Sequence, residues 1–313
     1  MEGRLLYDGC AAIEERVRIA LHSTDSAVEE YLARVAGYRE ISLLGTRKKE
    51  LPQHPHAICL KENKMYIGTW EGDVFVYEDY VYRERFRVAE SRVVKIEEYR
   101  EGVLIVHANG TISYVENKKG AVHKVEGYMN GVMHPYNPWL ISQTETSMHV
   151  FDFSHGKGIF SGFSKDLSVF AVHPAGSCLL AAQKTARLID LRTMESSVEM
   201  ENVLEMKCGL FHSSSVEMVV SAKKRIKNID IRTLTHINQI KTKTSATVLQ
   251  EYKHSVFYSG PELYVRSVCP VTGKSLFVLE KTAKYMAANS TDLAIVGAER
   301  VVDIIGLGSK ETG

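Results

Sequence analysis

From about residue 54 onward, hydrophobic and polar positions follow one phrase that restarts again and again. A short apolar run leads to a turn. A second apolar run follows and ends in small residues, and a third strand-like stretch ends near an acidic or small residue. The third stretch is the clearest: Asp73-Val-Phe-Val-Tyr-Glu78, Thr111-Ile-Ser-Tyr-Val115, Met148-His-Val-Phe-Asp152, Arg187-Leu-Ile-Asp190, Lys227-Asn-Ile-Asp230, Leu263-Tyr-Val-Arg-Ser267 and Val301-Val-Asp-Ile-Ile305. Their last residues, 78, 115, 152, 190, 230, 267 and 305, are separated by 37, 37, 38, 40, 37 and 38 positions.

The preceding stretch repeats in step, as in Lys64-Met-Tyr-Ile-Gly-Thr69, Cys178-Leu-Leu-Ala-Ala182 and Glu217-Met-Val-Val-Ser-Ala222. Short apolar runs bounded by turn residues predict buried strands. Small residues at their ends suit places where backbones approach closely. Asn109-Gly110 marks a tight hairpin between two strands of the second unit, and Glu71-Gly72-Asp73 serves the same place in the first. A unit of about 38 residues with three or four short strands is a propeller blade. The expected fold is all-β, a seven-bladed β-propeller.

A ring must close or leave two sheet edges open. The last unit ends near Gly308 after its third strand, so the missing fourth must come from elsewhere. The stretch 38–44, Tyr-Arg-Glu-Ile-Ser-Leu-Leu, alternates and is the expected closing strand, which makes 38–313 the propeller. Before it, Ile13, Val17 and Leu21 share one helical face, and so do Val28, Leu32 and Val35. Ser23 to Ser26 offer N-caps and Gly37 a C-cap. Residues 1–37 therefore read as a short helical segment. It either packs on the propeller rim as a lid or docks a partner.

Some phrases resemble the WD-repeat β-propeller family. Phe170-Ala-Val-His-Pro-Ala-Gly-Ser-Cys-Leu-Leu-Ala-Ala182 is similar to that family's strand-turn-strand phrase. His134 and His212 stand 39 residues either side of His173. Leu188-Ile-Asp-Leu-Arg-Thr193 and Asn228-Ile-Asp-Ile-Arg-Thr233 take the place of the family's Trp-Asp ending. No unit carries Trp-Asp and no Gly-His dipeptide occurs, so the family's Asp-His-Ser/Thr-Trp hydrogen-bond tetrad cannot form in its usual way.

The resemblance implies a platform for proteins of a larger complex. The succession of helix and degenerate blades loosely resembles the WD-repeat part of the pre-mRNA-processing factors of the NineTeen splicing complex. That likeness implies RNA processing, in splicing or ribosome assembly, with RNA as a second class of partner. About 50 residues precede the blades, too few for that family's U-box and coiled coil, so ligase activity is not carried over. Ile189-Asp-Leu-Arg192 and Ile229-Asp-Ile-Arg232 resemble the Trp-Asp-x-Arg ending of substrate receptors of cullin-type ubiquitin ligases. There Arg192 and Arg232 would contact the adaptor. The plainer expectation is that each pairs with a carboxylate of a neighbouring blade.

Composition narrows the classes. Apolar residues are 44% and charged residues 25%, so the chain is not of the disordered kind. Charge is 39 minus 38, or +1, without the general basic excess of a dedicated nucleic-acid binder. Charge is nonetheless clustered locally. Lys223, Lys224, Arg225 and Lys227 put four cations into five residues of an expected tight turn. They are read as outward-facing, either a solvated turn or a contact for nucleic acid or an acidic partner. Arg47-Lys-Lys49 is expected in the connection between the closing strand and the first blade.

Five scattered cysteines, Cys10, Cys59, Cys178, Cys208 and Cys269, argue for reduced thiols inside the cell, in nucleus or cytoplasm. The N-terminus lacks the apolar stretch of a signal peptide, and no run is long enough to span a membrane. Nucleophile elbows, metal-binding helices and phosphate loops are absent, and no two histidines stand at i, i+4. His54-x-His56 is read as a loop entering the first blade. Neither a cofactor, a metal nor a small-molecule substrate is expected. An enzyme, a propeller hydrolase, would need carboxylates or histidines converging in the central channel.

Overall fold

The computed structural model describes residues 41–309 except 117–118, 146, 163–166, 214–215, 254, 263 and 271–274. The expected helical segment 1–37, residues 38–40 of the expected closing strand, and Cys10 lie outside the described residues.

The chain forms seven four-stranded antiparallel sheets. The first strand, β1 (Ile41–Glu50), belongs to the last sheet. Blade one is β2 (Pro55–Lys61), β3 (Lys64–Thr69), β4 (Asp73–Glu78) and β5 (Val81–Arg87). Blade two is β6 (Val93–Tyr99), β7 (Gly102–His107), β8 (Thr111–Glu116) and β9 (Lys119–Lys124). Blade three is β10 (Tyr128–Met133), β11 (Trp139–Thr144), β12 (Met148–Asp152) and β13 (Lys157–Gly162). Blade four is β14 (Ser168–Val172), β15 (Cys178–Ala182), β16 (Thr185–Asp190) and β17 (Glu195–Leu204). Blade five is β18 (Met206–Phe211), β19 (Glu217–Ala222), β20 (Arg225–Asp230) and β21 (Thr235–Lys241). Blade six is β22 (Val248–Tyr252), β23 (Ser255–Ser259), β24 (Val265–Val268) and β25 (Ser275–Leu279). Blade seven is β26 (Tyr285–Ala288), β27 (Asp292–Val296), β28 (Val301–Ser309) and, outermost, β1. The expected seven-bladed β-propeller is the observed fold.

Burial explains the run-like sequence. Every residue of β7, β19 and β23 is buried, because the flanking blades cover both faces of a second strand. Such strands read as continuous apolar runs rather than alternations. Seven apolar cores result, each shared by two neighbouring blades. The core joining blades seven and one packs Ile67 and Phe75 against Ala294 and Ile304. Ring closure therefore rests on side chains as well as on strand pairing.

The closing strand differs from expectation in extent. β1 pairs with β28 from Ile41↔Ser309 to Glu50↔Val301. Arg47, Lys48 and Lys49 thus stand inside the strand, opposite Ile304, Asp303 and Val302, and not in a connection. An outermost strand faces water, so it needs no apolar alternation, and charged residues there protect the edge. That is why the pattern stopped too early.

Strands alternate in direction, so the turns sort onto two faces. The upper face carries the turns between second and third strands and the connections between blades. The lower face carries the first-to-second and third-to-fourth turns. Gly72 and Gly110 show how tightly the upper turns fit. At φ of 90° and 78° they adopt left-handed backbone. A Cβ would lie 2.4 Å from the Ala89 carbonyl at Gly72 and 1.9 Å from the Val125 carbonyl at Gly110.

Candidate functional site

The central channel is the natural place to look for chemistry. It encloses about 660 Å³ and is lined by first strands, including β2, β6, β18, β22 and β26. Three carboxylates line it, but each is engaged by a neighbour. Glu97 lies 2.7 Å from Lys95 and accepts the Met133 N–H. Glu98 lies 3.7 Å from Lys61. Glu251 accepts the Ser213 N–H at 2.9 Å and its hydroxyl at 2.7 Å, and stands 3.3 Å from His212. Among the described residues no group of three His, Cys, Asp or Glu could hold a metal ion.

The recurring histidines organise lower-face turns. His134 Nδ1 accepts the Tyr136 and Asn137 N–H groups, and its Nε2 donates to the Gly176 carbonyl of the next blade at 3.1 Å. Burial lowers its pKa, which keeps the ring neutral for this role. His173 Nδ1 accepts the Ala175 N–H in the same way. Other junctions use Lys61 to the Gly102 carbonyl, Tyr252 to the Ser290 carbonyl, and Asn289 to the Glu62 carbonyl.

The tetrad missing from the sequence has a substitute in blade one. Gln53 lies in the connection between β1 and β2. Its Nε2 donates to Asp73 at 2.6 Å, and its Oε1 accepts the Thr69 hydroxyl at 2.8 Å. Arg87 grips the same carboxylate with two hydrogen bonds and Arg85 adds a contact at 2.8 Å. Burial would raise the Asp73 pKa, but the hydrogen bonds from Arg87, Gln53 and Arg85 outweigh it and hold the carboxyl at about 2. Nothing in the repeat singled out this residue, because its partners come from a connection, a second strand and a fourth strand.

Arg192 and Arg232 lie in third-to-fourth turns on the lower face. Arg192 Nε and Nη2 reach Asp190 at 3.0 and 2.6 Å, and Arg232 reaches Asp230 at 3.0 and 2.7 Å. Each arginine thus meets the aspartate two residues back in its own turn, a partner the sequence reading did not name. Each aspartate also accepts its arginine's own N–H at 2.8 Å. The fork closes a turn that the sequence spacing alone left open.

Lys223 and Lys224 form the tip of the upper-face turn between β19 and β20, with φ of 45° and 58°. Two successive left-handed residues make the primed hairpin turn that normally favours Asn-Gly. Arg225 opens β20 opposite Lys241. Lys227 departs from expectation: it is buried, and its Nζ donates to the Asn202 carbonyl of blade four. Burial, then Arg225 and Lys223, lower its pKa. It belongs to the strand rather than the turn, and its side chain runs along the cleft between blades.

Four exposed lysines missed in the sequence join this turn. The Lys184 carbonyl accepts the Glu205 N–H, and Glu205 lies 3.9 Å from Lys223. Lys207 sits at a bulge beside the Met206↔Ala222 pair. The Thr242 N–H, between Lys241 and Lys243, donates to the Lys224 carbonyl. All four lysines are exposed.

Elsewhere on the upper face Trp70 is 52% exposed. The Arg92 guanidinium lies 4.9 Å from its ring centre, and the His56 ring meets its edge at 5.0 Å. Tyr285 bonds His56 Nε2 at 3.0 Å. Burial, then Arg92 and Lys284, lower the His56 pKa. His56 therefore belongs to β2 and an aromatic cluster, not to a loop.

Fold, closure and turn architecture define a WD-repeat-like β-propeller. The crystal structure of the Cps50 (Swd1) β-propeller domain of Myceliophteria thermophila resembles it with a TM-score of 0.72, at 13% identity, over 86% of this chain and 100% of that one. At that identity the likeness is one of fold. No protein-family model matches the sequence, and no curated protein matches it.

Proposed function

We propose that this propeller is a non-enzymatic interaction scaffold that holds proteins of a larger complex inside the cell, in nucleus or cytoplasm. RNA processing, in splicing or ribosome assembly, is the process we assign to it. The observation that carries the scaffold reading is the state of the channel carboxylates. Glu97 and Glu251 are spent on neighbouring cations or donors, and Glu98 is half exposed beside Lys61, which supports the two faces as the functional surfaces. The thiols support the reducing interior: Cys59, Cys178 and Cys208 are free, and burial pushes all three up to about 12. Among the described residues no helix is long and apolar enough to cross a membrane.

Cross-linked affinity purification of the full chain, read by mass spectrometry, tests the scaffold. A reproducible set of proteins in fixed proportions is expected. Recovery of the chain alone, across salt conditions, overturns it.

The arginine turns decide the reading as a cullin-ligase substrate receptor. Arg192→Ala with Arg232→Ala is expected to lower stability by about 1 kcal/mol, the range of well-formed exposed pairs, with the purified set intact. Loss of one partner at an unchanged melting temperature would restore the adaptor contact.

A further inference from the structure

We propose that the upper face binds single-stranded nucleic acid, with phosphates on the lysine sector of blades four and five and a base stacked on Trp70. The proposal rests on the scaffold reading, and names the chemistry of one partner of that scaffold.

The first observation is the composition of the sector. Lys184, Lys207, Lys223, Lys224, Lys241 and Lys243 come from four separate stretches of chain and are all exposed. Main-chain bonds from Glu205 to Lys184 and from Thr242 to Lys224 hold the stretches side by side. Arg225 and Lys241 face each other across a strand pair, which is unfavourable for like charges without an anion nearby. Two carboxylates stand near them: Glu205, 3.9 Å from Lys223, and Glu262, which accepts the Thr244 hydroxyl beside Lys243 and lies 3.9 Å from Arg266. Leu204 is the large apolar side chain exposed beside them. Lysine is depleted at protein–protein interfaces, whose cores are apolar and aromatic. A phosphate backbone, by contrast, is bound mainly through such cations.

The second observation is Trp70. Blade one lies across the channel mouth from blades four and five in a ring of seven. Trp70 follows β3 in the same class of turn as Lys223 and Lys224, and so presents itself on the same face. Arg92 lies against its ring and Lys284 borders the channel. An exposed aromatic ring with cations alongside is how single strands are held without sequence preference. Duplex bases are already stacked and cannot use it, so the single strand is the better fit.

Stacking and charge can be tested separately. Labelled decamers of oligo(U) RNA, oligo(dT) DNA and a DNA duplex are titrated against the full chain by fluorescence anisotropy. If about four phosphates are neutralised, single-strand affinity falls about fiftyfold between about 50 and 200 mM salt. The variant Lys223→Asn with Lys224→Gly removes two charges while supplying the residues this turn prefers. It should melt no lower than the parent, and the log–log salt slope should shrink by about 1.4. Trp70→Ala should weaken binding about tenfold at every salt concentration and leave the slope unchanged. The RNA and DNA decamers distinguish the two kinds of single strand, and binding of either supports the proposal. Four results overturn it: no single strand bound at low salt, a slope unchanged in the turn variant, duplex bound as tightly as single strands, or a capped polyglutamate peptide bound in place of RNA. The last would assign the sector to an acidic protein. Co-purified proteins that persist in these variants and after nuclease treatment keep the scaffold reading intact, so the two failures are separable.

Discussion

Deleting residues 1–50 should open the ring and lower the melting temperature by about 10 °C. β1 pairs along almost the whole of β28, from Ser309 down to Val301. Without it, β28 becomes an edge, and a run of backbone groups loses its partners at about 1 kcal/mol per bond. Ordering entropy regained by the freed segment offsets part of this. A net loss of about 5–6 kcal/mol corresponds to about 10 °C for a domain of this size. The new edge should also recruit a second copy, so dimers or larger species are expected by light scattering. A deletion ending at residue 45 should do much less, because Thr46 to Glu50 would still pair with Ile305 to Val301. Equal melting temperatures for the 1–50 deletion and the full chain would refute closure by this strand.

Asp73→Ala should cost about 2–3 kcal/mol, the largest effect expected from a single side chain. The carboxylate is 1% exposed and receives Gln53, Arg85 and Arg87. Removing one member of a buried charged network strands the others. Arg85 and Arg87 are partly exposed and turn to water, which keeps the loss below the usual range for fully buried pairs. Gln53 and Thr69, however, lose their common partner. The same residue sets an acid response. Its folded pKa of about 2 lies below the ordinary unfolded value of about 3.9. The stabilisation is therefore complete above about pH 4 and is lost as pH falls towards 2, amounting to about 2 kcal/mol. Melting curves of the parent and of Asp73→Asn should differ clearly at neutral pH and converge across that window. A constant difference through the window would show that the carboxylate's charge is not what the network uses.

Several features were legible in the residues because each depends on local pattern. Third strands end at the expected Glu78, Asp152, Asp190 and Asp230, one residue late at Glu116 and Val268, and β28 runs on to Ser309. The three recurring histidines are legible as part of the repeat, and the ring nitrogens of His134 and His173 do hold its turns. The closing strand runs past its expected end at residue 44 to Glu50, because Arg47, Lys48 and Lys49 carry no apolar signal on a solvated rim. Lys227 differs from expectation for another reason. Its charge suggests an exposed turn, but the two-residue turn ends at Lys224, and Lys227 lies inside β20, where its Nζ reaches the Asn202 carbonyl of blade four.

By itself the sequence determined the number of blades, the order of strands within each, and the need for an N-terminal strand to close the ring. Those follow from burial, which fills both faces of the inner strands and recurs about every 38 residues along the chain. Only the tertiary structure decided which polar groups meet. Gln53 finds Asp73 because a connection folds over a turn, and Arg192 finds Asp190 because the turn curls back on itself. Lys184 and Lys243 stand 59 positions apart, since 243 minus 184 is 59, yet both border the turn of Lys223 and Lys224. Exposed charges contribute little to stability wherever they stand, so folding leaves no local trace of them in the pattern. Their proximity is a consequence of the ring, and the ring is built by the buried residues.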